Sequence, residues 1–278
     1  MSIALNWERY YEDFHEGLGT TYERVILHHY FESLMKRFSI NSVLEAPSFG
    51  MTGISGINSM WWAPRGVRVT VMDDNLNRIG LIAEVWDEVP LKADFVFTES
   101  FNCLPFDNDS FDLGWNFAAL WFIDNTRLFL QELTRVTRKV IFICVPNQSG
   151  IAHMFGSKLV RNQSQNVFID NIKPQNISSA MESLDWQIDG QGYFDVPPWP
   201  DIAMKKEDLL NRIGLNRLSN RLKHNNENYL CILDYFNGKN EHMEKEILRY
   251  SFLERSPLFF KKLWAHHMYF IFTPKTQT

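Results

Sequence analysis

One stretch, residues 43–74, constrains the fold of this chain more than any other. Its sequence, VLEAPSFGMTGISGINSMWWAPRGVRVTVMDD, predicts a strand, a glycine-bearing turn, a helix and a second strand. The first strand, residues 43–45, ends in the carboxylate of Glu45, and the predicted helix covers residues 53–62. Residues 68–72 are rich in β-branched side chains, as expected of the second strand. The stretch therefore predicts one βαβ half-unit of a parallel sheet.

Glycines and acids follow the two strands of this half-unit. Gly50 and Gly53 lie in the turn after the first strand, and Asp73 and Asp74 follow the second. In such units the N–H groups of the turn bind a polar or anionic ligand, and the acid after the second strand holds a ribose diol. The glycines lack the GxGxxG spacing of dinucleotide sites, which disfavours a nicotinamide-dependent oxidoreductase. A packing turn that binds no ligand is the alternative interpretation.

The composition excludes several classes of protein. With 45% apolar and 22% charged residues among 278, the chain is globular and not disordered. A net charge of −5 argues against nucleic acid as an obligatory partner, since phosphate binding needs clustered basic side chains. No apolar run approaches the roughly 18 to 20 residues of a membrane span, and residues 1–6 lack the pattern of a signal peptide. We therefore expect a cytoplasmic protein. No metal is expected, because the cysteines and histidine pairs lack metal-ligand spacing.

Two helical pieces are predicted before the half-unit, within residues 7–38. Gly17 and Gly19 separate them, and Thr20 and Glu23 have the spacing of a capping box at the start of the longer piece. Apolar side chains recur along that piece at steps of three and four residues. The longer helix should therefore pack against the sheet.

Further strands and helices extend the sheet beyond the half-unit. Periodicity predicts a helix over residues 76–86, and apolar runs predict strands over residues 93–98 and up to Asn116. A helix capped near Asn125 then leads to residues 139–145, a continuous apolar run typical of a central strand that is buried on both faces. Strands that alternate with helices in this way predict an α/β fold with a doubly wound sheet.

The segment LPFDNDSFDLGWNFAALWFIDNTRLFLQELTRVTRKVIFICVPN, residues 104–147, carries a family resemblance. It closely resembles the corresponding stretch of small-molecule class I S-adenosylmethionine-dependent methyltransferases, which has an LPF…FD turn, a helix ending in R-V and a strand ending in V-P-N. The resemblance covers roughly residues 40–147 and is looser in the first turn. It implies S-adenosylmethionine as the cofactor and a Rossmann-like sheet of seven strands, the last two forming an antiparallel hairpin.

The end of the chain supplies two strands for that hairpin, residues 186–196 and 267–273. The segment between them is expected to form a helical cap, inserted late in the chain, over the carboxyl ends of the strands and the substrate site. A cap that packs only against another subunit of a homo-oligomer is the alternative. The expected organisation is an N-terminal helical segment over residues 1–40, a cofactor-binding core over 41–147, and the remaining strands with the cap over 148–278. Helices are predicted in this last part over residues 150–161, 177–184, 204–222 and 241–263.

The resemblance also implies which residues hold the cofactor. The acid at the end of the first strand and the glycine turn hold the methionine half, and the acid after the second strand holds the ribose hydroxyls. The pair before the LPF turn flanks the adenine. Because serine accepts a hydrogen bond from the adenine amino group more weakly than a carboxylate does, the adenine is expected to be held either by Glu99 or by the backbone together with stacking on Phe101. The implied cofactor-binding residues are Glu45, Ser48, Gly50, Gly53, Asp73 with Asp74 as its competitor, Ser100, Phe101 and Asn116.

Methyl transfer from a sulfonium requires alignment, exclusion of water and, for some acceptors, a base, so it needs no fixed catalytic motif. In the family resembled, the end of the fourth strand lies near the reacting methyl group, which indicates Asn116 and Trp121. The N-terminal helices of that family fold over the cofactor, which indicates Tyr11 and Tyr22. The alternative is that the aromatic residues after Asn116 serve only in packing.

Taken together, these features predict an S-adenosylmethionine-dependent methyltransferase that acts on a small, partly apolar molecule. The alternative is a catalytically silent binding or scaffold protein that keeps the fold. Two departures from the family pattern favour that alternative, namely Pro47 in the first turn and Ser100 before the LPF turn.

Overall fold

The computed structural model describes residues 7–14, 16–49, 53–150, 167–198 and 232–275, and these form a layered α/β structure. The strands are β1 (Ser42–Glu45), β2 (Arg68–Asp73), β3 (Asp94–Phe97), β4 (Phe111–Phe117), β5 (Thr137–Pro146), β6 (Trp186–Phe194) and β7 (His267–Pro274). The α-helices are α1 (Tyr10–Asp13), α2 (Gly17–Phe38), α3 (Leu76–Asp87), α4 (Thr126–Val136), α5 (Pro174–Ser183), α6 (Ile232–Phe236), α7 (Met243–Leu248) and α8 (Leu258–Trp264).

The strands of the described residues form one seven-stranded sheet with the order β3-β2-β1-β4-β5-β7-β6. Strands β1 to β5 are parallel, and β7 is antiparallel to both of its neighbours. The chain proceeds from β1 to one edge at β3 and then returns to add β4 on the other side, so the sheet is doubly wound. The predicted fold class, the seven strands and the antiparallel hairpin are confirmed.

Apolar layers cover both faces of the sheet, because successive side chains of a strand point to opposite faces. On one face α2 contributes Phe31, which is fully buried, with its ring centroid 4.8 Å from that of Trp115 and 4.9 Å from that of Trp62. On the other face Phe129 and Leu133 of α4 are fully buried in a second apolar cluster. The carboxyl ends of the parallel strands therefore lie between the α2 layer and the α4 layer.

Asparagine caps fix the starts of two helices that follow strands. The side-chain oxygen of Asn75 accepts a hydrogen bond from the N–H of Arg78 at 3.0 Å, and that of Asn125 accepts one from the N–H of Leu128 at 3.1 Å. Each cap satisfies one of the N–H groups that a helix start leaves unpaired. The cap predicted for α4 is confirmed, and the cap of α3 places Arg78 beside the end of β2.

The helix predicted over residues 53–62 is wrong. The described part of this region forms 3₁₀ turns over Asn58–Trp61 and Ala63–Arg65 instead. Gly53 and Gly56 have φ angles of 76° and 70°, which lie outside the right-handed helical region. A helix could not start at Gly53, because the chain turns there in a conformation that favours glycine.

The start predicted for the long N-terminal helix is also wrong. α2 begins at Gly17, so Thr20 lies within its first turn and not at its cap. Glu16 occupies the capping position without a side-chain cap bond, because its carboxylate pairs with the buried guanidinium of Arg24. A long-range ion pair here replaces the local capping box that the sequence indicates.

The late part of the chain departs from prediction in one further way. The single helix expected over residues 241–263 is divided into α7, a 3₁₀ turn over Ser251–Arg255, and α8. Pro257 precedes α8 with an extended ψ of 151°, which ends any helix before it. The helix predicted over residues 204–222 and, apart from Gly150, the one over residues 150–161 lie outside the described residues. Among the described helices, none combines the length and the apolar character that crossing a membrane requires.

Phe31→Ala should reduce the free energy of unfolding by about 3–5 kcal/mol, because it leaves a cavity among the aromatic rings of the α2 layer. Phe259→Ala is the matched control, since Phe259 is 72% exposed and should change stability by less than about 0.5 kcal/mol. Urea unfolding followed by tryptophan fluorescence measures both values. Equal effects of the two substitutions would contradict the placement of Phe31 at the centre of this layer.

Candidate active site

Two buried carboxylates lie side by side at the carboxyl edge of the sheet. Glu45 ends β1 and is paired with Val71 of β2, which lies two residues before Asp73. Because side chains alternate along a strand, Glu45 and Asp73 project from the same face, the one that α2 covers. The turn after β1 is fastened over this edge, since the N–H of Ser48 donates to the carbonyl of Met72 at 2.9 Å. The two predicted cofactor acids therefore project from the same face at adjacent strand ends, and the region between these strand ends is here called the β1–β2 crevice.

Glu45 is held in a dry, hydrogen-bonded environment. The hydroxyl of Ser59 donates to its Oε2 at 2.5 Å, and the Trp115 indole N–H donates to Ser59 at 3.1 Å. The residue is only 2% exposed, and this burial raises the pKa of Glu45 to about 8, although Ser59 and Arg24 act in the opposite direction. At neutral pH the carboxyl is therefore largely protonated, and a cation placed beside it would favour loss of that proton.

Asp73 is already engaged by partners from its own chain. Arg78 donates to both carboxylate oxygens, from Nε at 3.0 Å and from a terminal nitrogen at 2.5 Å. The Ser48 hydroxyl also donates to Asp73 at 2.5 Å, and the N–H of Asn75 donates at 2.9 Å. The Arg78 guanidinium lies 4.0 Å from the centroid of the Phe49 ring. A ribose diol that bound Asp73 would have to displace part of this arrangement.

Asp74, the competing candidate for the ribose, lies at the rim of the crevice. Its side chain is 52% exposed and one oxygen is 3.0 Å from the Arg78 guanidinium. Asp73 is the better placed of the two acids to reach into the crevice, whereas Asp74 faces solvent.

A second internal ion pair occupies the glycine turn. Glu16 accepts a hydrogen bond from the N–H of Ile54 at 2.5 Å, and Arg24 donates to the Ile54 carbonyl at 2.9 Å. A Cβ atom at Gly53 would collide with both the carboxylate and the guanidinium. The N–H of Ile54 in the glycine turn, where a ligand is expected to bind, thus donates to a carboxylate of the protein itself. Gly50, the other predicted glycine, lies outside the described residues.

Asn116 presents an amide without a hydrogen-bond partner among the described residues. The side chain is fully buried, and neither its oxygen nor its nitrogen is bonded there. Its neighbour Trp115 packs in the α2 layer, so Asn116 faces the opposite layer near the end of β4. Buried amides are normally satisfied, so this one indicates a place for a polar ligand group or water.

The remaining predicted residues separate into two groups. Trp121 and Phe101 are buried in the α4 layer, where the Trp121 indole N–H donates to the carbonyl of Ala118 at 2.8 Å and the Phe101 ring lies 5.9 Å from Phe129. Ser100 is exposed. Phe101 is only 8% exposed, so little of its ring is left to contact an adenine.

The two predicted tyrosines lie at different places. Burial raises the pKa of Tyr11, and the charges of both Arg78 and Asp73 act on its hydroxyl. Tyr22 is fully buried and donates to Glu254 at 2.9 Å. Burial is the largest cause of the raised pKa of Tyr22, and the neighbouring carboxylate of Glu254 raises that pKa further.

A group that the sequence analysis missed lies beside Tyr22 and is here called the acid–histidine cluster: Glu23, Asp195, His266 and His267. The Nδ1 atom of His266 lies 2.8 Å from Asp195 Oδ2, and Nδ1 of His267 lies 3.3 Å from the same oxygen. Burial alone would raise the pKa of Asp195, but the charges and hydrogen bonds of the two histidines outweigh it and lower the pKa to about 2. The ring of His267 is 4.6 Å from that of Phe117, so the cluster adjoins the end of β4.

No local sequence signal could have identified this cluster. Its members come from α2, from the residue after β6, and from the start of β7. The only usable signal was topological: an antiparallel last strand starts at the carboxyl edge of the parallel strands, which brings His266 and His267 to the side where ligands bind.

Comparison with known proteins identifies the domain. Residues 50–143 match the family model described as a methyltransferase domain, whereas no curated protein sequence matches the chain. Solved structures with the same fold include the YcgJ protein of Bacillus subtilis, which aligns with a TM-score of 0.53 and 13% identity over 90% of this chain and 100% of its own.

Two further structures are similar to a comparable degree. A putative sarcosine dimethylglycine methyltransferase from Galdieria sulphuraria aligns with a TM-score of 0.51 and 12% identity over 89% of this chain and 84% of its own. A putative methyltransferase from Bacillus halodurans aligns with a TM-score of 0.51 and 12% identity over 88% of this chain and 97% of its own. At these identities the structures show the fold, and the match of residues 50–143 shows a methyltransferase domain. The predicted resemblance to class I S-adenosylmethionine-dependent methyltransferases is confirmed.

Glu45→Gln should make the protein less sensitive to alkaline pH. The raised pKa means that folded Glu45 keeps its proton where the unfolded chain loses it, so its contribution to stability is complete below pH 4.5 and is lost as the pH rises towards about 8. Glutamine keeps an acceptor for Ser59 and has no charge to bury. At pH 9 the variant should be more stable than the wild type by roughly 2–4 kcal/mol, since one pKa unit corresponds to about 1.4 kcal/mol.

Thermal unfolding between pH 5 and pH 9 measures this effect. Glu84→Gln, at an exposed position on α3, is the control and should leave the pH profile unchanged. Parallel pH profiles for the wild type and Glu45→Gln would refute the assignment of a protonated Glu45.

Proposed function

We propose that the β1–β2 crevice binds S-adenosylmethionine and that the protein transfers its methyl group to a small, partly apolar molecule. One observation carries the proposal above all. Two buried carboxylates, Glu45 and Asp73, share one face at adjacent strand ends, and the unsatisfied amide of Asn116 lies near the end of the next strand. A cationic, hydroxyl-bearing ligand complements the two carboxylates.

Each residue of the crevice would contact a different part of the cofactor. Glu45 would face the positively charged part of the cofactor, because a nearby cation favours the carboxylate form of a buried acid. Asp73 would accept from the ribose hydroxyls after Arg78 releases at least one of its oxygens. Phe49, which is half-buried beneath the Arg78 guanidinium, would cover the sugar side. When bound, S-adenosylmethionine supplies an activated methyl group, and the chain would align the acceptor and exclude water.

Aromatic rings at the end of β4 support an apolar acceptor. Phe117 lies 6.2 Å from Phe194 and 4.6 Å from His267, measured between ring centroids. Apolar walls with few polar groups are typical of small-molecule sites. The acid–histidine cluster beside these rings could take a proton from an alcohol or acid acceptor, which is the step that such acceptors require.

A silent binding protein with the same fold is the second candidate, and two specific contacts favour it. Arg78 saturates the oxygens of Asp73, and the Glu16 carboxylate accepts from the Ile54 N–H of the glycine turn. Both contacts use groups that a cofactor would need. In the methyltransferase interpretation they are exchanged for the cofactor, whereas in the silent interpretation they are permanent.

Isothermal titration calorimetry with S-adenosylhomocysteine separates the two candidates. The proposed function predicts that the wild type binds, that Asp73→Asn binds at least about 10-fold more weakly, and that Arg78→Met binds more tightly because a competing internal partner is gone. Asp87→Asn, at an exposed position at the end of α3, should bind like the wild type.

The methyltransferase and the silent binding protein predict different binding results for the wild type and Arg78→Met. Absence of binding by both the wild type and Arg78→Met at millimolar ligand would contradict the proposal and favour the silent fold. Binding by Arg78→Met alone would show a latent site that Arg78 closes. Thermal unfolding of each variant confirms that a loss of binding is not a loss of fold.

A further inference from the structure

We propose that Glu23, Asp195 and His267 bind one divalent transition-metal cation of the zinc class. The site is separate from the β1–β2 crevice, and its ligands do not include any residue assigned to the cofactor. Metal binding can therefore be tested separately from cofactor binding.

The spacing of the three ligand atoms fits a metal ion. All three lie within 4.8 Å of one another. His267 Nδ1 is 3.3 Å from Asp195 Oδ2 and 3.7 Å from Glu23 Oε2. In tetrahedral coordination with metal–ligand bonds of about 2.1 Å, neighbouring ligand atoms are separated by about 3.4 Å. Two of the three separations lie close to that edge length, and the third, between the two carboxylates, is within 4.8 Å.

The three ligands come from three different parts of the fold. Glu23 lies on the 22-residue helix α2, and His267 is the first residue of β7, paired with Pro146 of β5. Asp195 has a φ of 63°, and its carbonyl accepts from the N–H of His266 at 3.0 Å. Aspartate tolerates this left-handed conformation better than most residues. The three donors are thus preorganised, as a metal site requires.

The chemistry and charge of the group also suit a divalent cation. With the imidazole of His267 deprotonated, as metal binding requires, the three side chains carry a charge of −2 and offer the mixed nitrogen and oxygen donors of zinc, cobalt and manganese sites. The nearby ammonium of Lys261 is directed to Glu254, 3.6 Å away. The side chains of Glu23, Asp195 and His267 are 10%, 3% and 11% exposed, so an ion among them would be shielded from bulk water.

His266 supplies the outer-shell contact that metal sites use to orient their ligands. Its Nδ1 lies 2.8 Å from Asp195 Oδ2, so that a donated hydrogen bond would fix the carboxylate. Three protein ligands leave at least one coordination position for water or another oxygen. Because His267 contacts Phe117 at the end of β4, an ion here could polarise an acceptor molecule bound beside that ring. This polarisation of an acceptor rests on the proposed function, whereas the metal site itself does not.

Titration of the metal-free protein with Co²⁺ tests the site directly. Cobalt reports its coordination through visible absorption, and equilibrium dialysis with Zn²⁺ followed by elemental analysis counts the bound ions. The expected result is one ion per chain. Glu23→Gln, Asp195→Asn and His267→Gln keep size and hydrogen bonding, and each should weaken binding at least about 100-fold. His266→Gln should weaken it by about 10- to 100-fold through the lost outer-shell contact.

His29→Gln is the matched control, because His29 lies exposed on the same helix as Glu23 and should leave metal binding unchanged. Thermal unfolding of the metal-free variants shows whether each is folded. Failure of the folded wild type to bind Co²⁺ at about 1 mM would overturn the proposal. The cluster would then be a network of ion pairs between protonated histidines and carboxylates. Binding that survives all three ligand substitutions would overturn it as well. S-adenosylhomocysteine binding, measured separately, reports on the proposed function alone.

Discussion

Every acid buried at the carboxyl edge of this sheet needs a partner, because an isolated carboxylate in a dry environment is strongly disfavoured. The protein meets this need in four ways. Glu45 keeps a proton, and Asp73 receives the guanidinium of Arg78. Glu16 pairs with the buried Arg24, and Asp195 contacts two histidines. The positions of α2, the glycine turn and the start of α3 all depend on these pairings.

This constraint also shapes any ligand binding at the edge. A cofactor can bind Asp73 only in molecules in which the internal partner Arg78 has moved away. Its apparent affinity is therefore the intrinsic affinity multiplied by the fraction of such molecules. Arg78 is suited to such an exchange because a second acid, Asp74, lies 3.0 Å from its guanidinium and reaches solvent. The contact of Glu16 with the Ile54 N–H is harder to exchange, since both Glu16 and Arg24 are buried.

The sequence predicted the sheet well because the determinants of strands are local. Continuous apolar runs such as residues 139–145, and the strand-ending acids Glu45 and Asp73, indicate parallel strands whose carboxyl ends meet. The segment after β1 was predicted poorly, because the positive φ angles of Gly53 and Gly56 are incompatible with the helix expected between the two strands of the half-unit. Those angles depend on packing against α2 and α3, which a local pattern does not contain.

The candidate site was predictable only in part for the same reason. The alignment of Glu45 with Asp73 follows from register, whereas the occupation of Asp73 by Arg78 depends on how α3 starts. The acid–histidine cluster joins residues from α2, from the residue after β6 and from the start of β7, and its assembly requires the strand order. Burial and partners, which determine pKa values, are tertiary properties that no spacing of residues encodes.

Proton release on binding S-adenosylmethionine tests most directly whether the crevice exchanges its internal partners for the cofactor. Calorimetric titrations at pH 7 in buffers with different enthalpies of ionisation yield the number of protons released. If the cationic cofactor is placed against the protonated Glu45, about one proton should leave per site, and Glu45→Gln should abolish the release. Binding that releases no proton, or releases it equally from the wild type and Glu45→Gln, would contradict this account of the crevice.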